Sequence, residues 1–82
     1  MEFVATFHTH LSALMTSRAL QKAGHTARMA PVPRQLSSSC GTCVFYTADD
    51  LCREALDEDT ERVYKIRDGG YELLLDLEEG DL

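Results

Sequence analysis

The residues of this 82-residue chain best suited to chemistry are its three cysteines, and Cys40 has the most reactive expected surroundings. It follows a run of serines and precedes a glycine, a composition typical of an exposed loop. The imidazoles of His8 and His10 and the guanidinium of Arg34 are expected at the same end of the fold. Each of these groups interacts better with a thiolate than with a thiol. The sequence therefore predicts an ionised, nucleophilic Cys40.

Cys40 and Cys43 form a C-x-x-C motif, which is also found in dithiol oxidoreductases. In those proteins the motif opens a helix and the two sulfurs converge, whereas here it is expected to open a strand. Residues three apart in an extended chain lie roughly 10 Å apart, beyond the limit of about 7 Å between the Cα atoms of a disulfide. A disulfide would require Gly41 and Thr42 to form a turn. A small dithiol oxidoreductase remains an alternative.

Cys40, Cys43, His8 and His10 together offer the sulfur and nitrogen ligands that zinc prefers. Their spacing matches no standard zinc finger or knuckle, so neither a metal nor another cofactor is expected. The chain also shows no phosphate-binding glycine loop, nucleophile elbow or carboxylate pair. Cys52 is expected to be a small core residue on the apolar stripe of a helix.

The elements that position these residues follow from hydrophobic periodicity. Strands are expected at 2–8, 25–32, 42–47 and 62–67, and helices at 10–23 and about 48–57. The apolar stripe of the first helix is formed by Leu11, Leu14, Met15, Ala19 and Leu20.

The order β-α-β-β-α-β predicts a ferredoxin-like α+β fold, with an antiparallel sheet and two helices on one face. In that topology the loop after the first strand and the loop between the second and third strands emerge at one end. This places His8 and His10 beside Cys40.

Length and charge limit the function further. Eighty-two residues suffice for one domain. Six of the 14 acids and none of the 8 bases follow Arg67, so residues 1–67 carry eight of each sign and the net charge of −6 belongs to the end of the chain. We expect a domain over 1–67 and an acidic, leucine-rich tail over 68–82, in which residues 71–77 form either a fifth strand or a frayed helix.

The composition also limits the partners and the compartment. No polybasic patch, apolar run of about 20 residues or secretory leader is evident, so neither nucleic acid nor a membrane is an expected partner. An odd number of cysteines fits a cytoplasmic protein with reduced thiols.

The stretch Pro31-Val32-Pro33-Arg34, followed by Ser37-Ser38-Ser39-Cys40-Gly41, resembles the selenium/sulfur carrier protein-like family. Residues 6–9 and 63–66 add to a likeness that spans roughly residues 2–67. The resemblance implies a carrier on which Cys40 accepts sulfur or selenium and passes it to a partner protein. It also implies loop support from Arg34, Ser39 and Gly41. His8 and His10 would tune the thiol, and Cys43, outside the family pattern, could resolve a persulfide.

A carrier needs an exposed nucleophile but no deep cleft, so this small chain is expected to be a carrier rather than an enzyme. The alternative from another class is an interaction or regulatory module with incidental cysteines. Such a module would engage a partner, or a second copy of the chain, through a sheet edge or the acidic tail.

Overall fold

The computed structural model describes residues 1–78 of the chain. In chain order its elements are β1 (Glu2–Phe7), α1 (His10–Lys22), β2 (Thr26–Pro31), β3 (Thr42–Thr47), a 3₁₀ turn (Arg53–Ala55), β4 (Thr60–Arg67) and β5 (Gly70–Asp76). The strands form one antiparallel sheet in the order β2-β3-β1-β4-β5. The ferredoxin-like prediction is wrong, because residues 1–78 contain one α-helix instead of two and the sheet has a fifth strand. Within the same residues no helix has the length and apolar content to cross a membrane.

The second predicted helix is replaced by an irregular segment with one 3₁₀ turn. Cys52 adopts the left-handed conformation, with φ 57°, which interrupts a right-handed helix. The Asp50 carboxylate accepts a hydrogen bond from the Cys52 backbone N–H at 2.8 Å, an alternative to helical pairing that aspartate commonly provides. The Tyr46 hydroxyl donates to the Leu51 carbonyl at 2.7 Å. Apolar residues of the segment still pack on the core, although no helix presents them.

Helix α1 begins at an N-cap, where the Thr9 hydroxyl accepts from the Ser12 N–H at 3.0 Å. Its orientation differs from the predicted one. The buried residues of the helix are mostly small: Ser12, Ala13, Thr16, Ser17 and Leu20. Leu11 and Met15, assigned to the inward stripe, are 62% and 50% exposed.

Polar contacts explain this orientation of α1. The Ser12 hydroxyl donates to the Asp57 carboxylate at 2.7 Å, and the Thr16 hydroxyl accepts from the Asp57 N–H at 3.0 Å. These hydrogen bonds require the Ser12 and Thr16 side of α1 to face Asp57, which leaves Leu11 and Met15 on the outer side of the helix.

The core lies between α1 and the sheet, centred on β1. That strand pairs with β3 on one side and β4 on the other, and Phe3, Ala5 and Phe7 face the helix. Val44 of β3 and Val63 of β4 flank Ala5 on the same face. The central position of β1 brings its end, and the loop that follows, beside the loops that enter β3 and β4.

Strand β5 follows β4 through a two-residue turn. Asp68 and Gly69 both have positive φ, 53° and 77°, as a type I′ hairpin turn requires. Residues 70–76 of the predicted tail are therefore part of the sheet, and the fifth strand was one of the two alternatives for this stretch. Residues 79–82, the last part of the predicted acidic tail, lie outside the described residues.

Candidate functional site

The loop between β2 and β3 carries Cys40 and is closed at its base by backbone pairing. The Val32 N–H donates to the Gly41 carbonyl at 3.1 Å, which extends the hairpin beyond the last strand pair. Gly41 has φ +75°, a left-handed conformation that glycine adopts without steric cost. This turn directs the chain from Cys40 into β3.

Cys40 is half-buried, and its side chain packs against the edge of the core. Its Sγ lies 3.6 Å from the Thr42 carbonyl oxygen and 3.8 Å from the Ser38 hydroxyl. The Ser38 hydroxyl donates its only proton to the Phe7 carbonyl at 2.8 Å, so it faces the sulfur as an acceptor. Both neighbours therefore present acceptor oxygens to the Cys40 thiol in this arrangement.

Glu61, at the start of β4, anchors the residue that precedes Cys40. Although it is charged, Glu61 is only 3% exposed. Its carboxylate accepts hydrogen bonds from the Ser39 N–H at 3.2 Å and from the Ser39 hydroxyl at 2.5 Å. A buried carboxylate needs such donors to offset its lost hydration. Glu61 thus ties the cysteine loop to the sheet.

Sequence reasoning missed Glu61, although strand alternation contains the signal. Val63 faces the core, so Glu61, two residues earlier in β4, faces the same side. The register of β1 and β4 shifts at this point, since Thr6 pairs with Arg62 and Phe7 with Thr60, and the Glu61 carboxylate lies 3.2 Å from His8 Nδ1. Glu61, an acidic residue on the inward side of a strand, was therefore a candidate for a residue that supports the Cys40 loop.

His8 lies between two carboxylates rather than against the Cys40 sulfur. Its Nδ1 is 3.2 Å from Glu61 Oε2, and its Nε2 is 2.6 Å from Glu78 Oε2. These three residues could offer a cation one nitrogen and two oxygen ligands, since the ligand atoms lie within 4.8 Å of one another. A groove of about 270 Å³, lined by Glu61, Glu78 and the serines at 37–39, opens beside them.

The remaining predicted support residues lie around the loop. His10 Nδ1 is 3.3 Å from the Thr42 hydroxyl, so the start of α1 contacts the loop just after Cys40. Arg34 is exposed and forms no ion pair within residues 1–78. The structure thus brings His8, His10 and Ser39 to the Cys40 loop, but none of the expected cationic side chains contacts the sulfur within those residues.

Cys43 is separated from this surface by burial. Its side chain is fully buried, and its thiol donates to the Pro31 carbonyl at 3.6 Å. Burial raises the pKa of the Cys43 thiol to about 11, even though the charge of Arg28 acts in the opposite direction. All three cysteines are free thiols in the structure. Cys43 is therefore poorly suited to attack a persulfide on Cys40.

Cys52 and His25 form a contact that sequence reasoning did not anticipate. Cys52 is 4% exposed, and its Sγ lies 3.5 Å from His25 Nε2 and 3.4 Å from the Asp50 carbonyl. His25 was interpreted as a surface residue, but it is half-buried. Burial is the main reason that the pKa of the Cys52 thiol is raised, and the Asp50 hydrogen bond adds to it. Cys52 is part of the core, as predicted, but without a second helix.

Comparison with known proteins identifies relatives of this sequence. Residues 2–66 match the family described as "Putative Se/S carrier protein-like". The chain is 34% identical over 70 residues to "Uncharacterized protein YtiA" of Escherichia coli (strain K12), an alignment that covers 83% of this chain and 82% of the relative. No solved structure matches the chain significantly.

Proposed function

We propose that this chain, which belongs to the Se/S carrier protein-like family, carries a sulfur or selenium atom on Cys40 and delivers it to a partner protein. The observation that supports this assignment most directly is the contrast among the thiols. Cys40 is half-buried at the surface of a loop, whereas Cys43 and Cys52 are buried. A carrier cysteine must be reachable by another protein's reactive group, and Cys40 alone meets that requirement among the three.

The proposed loading step is a thiol exchange with a cysteine persulfide on a donor protein. The Cys40 sulfur attacks the terminal sulfur of the donor persulfide, and a new sulfur–sulfur bond to Cys40 forms. The sulfur–sulfur bond of the donor breaks, and its cysteine leaves as a thiolate that takes up the proton released by Cys40. The products are a Cys40 persulfide and a donor thiol, so the step needs no external oxidant or reductant.

The loop residues have distinct proposed roles in this exchange. Glu61 and Ser39 act as positioning residues, because their hydrogen bonds hold the segment that precedes Cys40. Gly41 provides the turn that exposes the thiol. Arg34, exposed on the same loop, would steady the negative charge of the persulfide. His8 and His10 support neighbouring loop and strand atoms instead of the sulfur itself.

Transfer, not dithiol redox chemistry, is the function that the site favours. A resolving Cys43 would have to leave its fully buried position in β3, with a thiol whose burial disfavours the thiolate. We further propose that the partners are donor and acceptor proteins and that the protein acts in the cytoplasm, where thiols stay reduced.

The test is the loading of reduced protein with inorganic polysulfide, followed by intact mass measurement without reductant. We expect a mass gain of one sulfur atom that dithiothreitol removes. Cys40→Ser should abolish the gain, and Cys52→Ser, a matched change at a buried thiol, should retain it. A gain that persists in Cys40→Ser would contradict the assignment of Cys40 as the carrier residue.

A further inference from the structure

The outer surface of α1 carries a stripe of exposed side chains. Leu11, Met15, Arg18 and Lys22 recur at helical spacing on the side opposite the buried small residues. Leu11 is 62% and Met15 50% exposed, and both basic residues are exposed. We call these four residues the helix stripe. Leu11 and Met15 are neighbours one helical turn apart, and contiguous exposed apolar surface, unlike a single apolar residue, is typical of a contact with another molecule.

The position of the helix stripe links it to the Cys40 loop. Its apolar end begins at Leu11, directly after His10, and His10 contacts the Thr42 hydroxyl at 3.3 Å. The stripe extends away from that point for about 17 Å, given the rise per residue of a helix. A protein that covers the Cys40 loop from this side would therefore contact the stripe as well.

The charges of the stripe indicate the chemistry of its partner. Neither Arg18 nor Lys22 forms an ion pair with a described residue. A complementary surface would place apolar side chains against Leu11 and Met15 and carboxylates against the two cations. The stripe thus suits a protein with a mixed apolar and acidic contact surface.

We infer that the helix stripe is the docking surface for the protein that donates the chalcogen to Cys40, and that this donor presents an apolar and acidic surface to it. The inference rests on the proposed carrier function. Docking at the stripe aligns the donor persulfide with the Cys40 loop, while Leu11 and Met15 provide the buried contact. Arg18 and Lys22 increase the association rate, and raising the salt concentration reduces their effect.

Two donors separate docking from the chemistry of Cys40. The protein donor is a purified cysteine desulfurase supplied with L-cysteine, and the small donor is inorganic polysulfide, which needs no docking surface. We expect the double variant Leu11→Ser/Met15→Ser to lose about tenfold in the rate of Cys40 loading from the desulfurase. Arg18→Glu/Lys22→Glu should show a similar loss at low salt. Loading from polysulfide should stay within about twofold of the wild-type rate, because docking effects do not apply to it.

A matched control is available on the edge of the sheet. Leu73 and Leu74 of β5 are 49% and 40% exposed, so Leu73→Ser/Leu74→Ser removes a comparable apolar surface elsewhere. This control should load at the wild-type rate from both donors. The docking inference is overturned if the helix variants keep the wild-type rate from the desulfurase, if they lose rate equally with both donors, or if the desulfurase does not load wild-type protein that polysulfide loads.

Failure of the carrier function has a different signature. If neither donor loads Cys40, the proposed function fails, and binding of immobilised desulfurase still decides the docking inference. Binding by the wild type that weakens in the helix variants supports the inference, and no binding overturns it. Sedimentation of the protein alone tests the other occupant of the stripe. A wild-type dimer that dissociates in Leu11→Ser/Met15→Ser would assign the stripe to a second copy and overturn the docking inference.

Discussion

The Cys40 loop and the Cys52 segment lie at opposite ends of β3, and they hold their cysteines in contrasting ways. Cys40 precedes the strand in a half-buried position, with hydroxyl and carbonyl oxygens as the nearest polar partners of its sulfur. Cys52 follows the strand, is buried, and has an imidazole nitrogen 3.5 Å from its sulfur. The thiol with the imidazole neighbour is thus the inaccessible one.

This contrast shows that neighbouring residue types do not by themselves identify a reactive thiol. An imidazole near a cysteine favours the thiolate only if burial does not cost more than the contact provides. At Cys52 the net result is a raised pKa, because burial and the hydrogen bond with Asp50 dominate. Cys40 is assigned as the reactive thiol because it is the most accessible of the three cysteines. The contrast between Cys40 and Cys52 can be tested on the thiols themselves and on the residues that anchor their segments.

The largest expected difference is in the alkylation rates of the thiols. In folded protein at pH 8, iodoacetamide should modify Cys40 at least about a hundredfold faster than Cys43, because only about one Cys43 thiol in a thousand is ionised when its pKa is about 11. Cys52 should also react more slowly than Cys40, because it is buried and burial raises the pKa of its thiol. Peptide mapping by mass spectrometry over a time course measures all three rates. In 8 M urea, the control condition, the rates should converge. Equal rates in the folded protein would show that burial does not distinguish the thiols.

The second expected difference is in the pH dependence of stability. Burial raises the pKa of Cys43 from 9.0 to about 11, so its contribution is fully present below pH 9 and is lost as the pH rises to 11. A two-unit shift corresponds to about 2.7 kcal/mol. We expect the free energy of unfolding to fall over this range, and Cys43→Ala to reduce the fall by up to that amount. Urea denaturation at pH 8, 9, 10 and 11 measures it.

Cys52→Ala should also reduce this loss of stability, since the pKa of Cys52 is likewise raised. Tyr46 contributes in the same direction, because burial raises its pKa as well. Wild-type protein should therefore lose more stability than either single variant. A Cys43→Ala variant with the same decline as the wild type would contradict the role of burial at this position.

Periodicity predicted the local elements better than their assembly. The first helix and the strands around it were expected close to their observed bounds, because β-branched runs and an N-capping threonine mark them in the sequence. The prediction of a second helix was wrong because the Asp50 carboxylate stabilises a turn at Cys52. Helix propensities do not include this side-chain hydrogen bond. The predicted orientation of α1 was wrong because it depends on hydrogen bonds between residues far apart in the sequence: Ser12 donates to Asp57, 45 residues away, and Thr16 accepts from Asp57, 41 residues away.

The candidate site was predicted in part for a similar reason. Topology alone placed His8 and His10 at the Cys40 loop, and contacts with Ser39 and Thr42 show them there. Of the two carboxylates that His8 faces, strand alternation signalled Glu61 of β4, whereas Glu78 follows β5 in a segment whose position depends on tertiary structure. Whether Cys40 and its support residues carry a chalcogen stays a prediction.

The carboxylates that anchor the two cysteine segments should differ in importance. Glu61 is buried beneath the Cys40 loop, whereas Asp50 is exposed beside Cys52. Glu61→Gln should lower the free energy of unfolding by about 2 kcal/mol, since it weakens charge-assisted hydrogen bonds to Ser39 in a buried site. Asp50→Asn should cost about 0.5 kcal/mol, because water can replace an exposed partner.

Urea denaturation gives both free energies, and hydrogen exchange of the Ser39 amide locates the effect of Glu61→Gln. Faster exchange of that amide is expected only in the Glu61 variant. An Asp50→Asn loss as large as that of Glu61→Gln would show that the Cys52 segment depends equally on its carboxylate, and would remove this part of the contrast.

A further expected difference concerns the left-handed residue in each segment. Cys52 holds φ 57° with a side chain because burial and the Asp50 hydrogen bond stabilise it there, whereas Gly41 at φ +75° is exposed and would place a Cβ with no atom within 4 Å. Gly41→Ala should therefore cost about 1 kcal/mol from backbone strain alone. Gly41→Asn should cost less, because asparagine tolerates this conformation. Urea denaturation distinguishes them, and equal losses would indicate that the turn at Gly41 depends on something other than its backbone conformation.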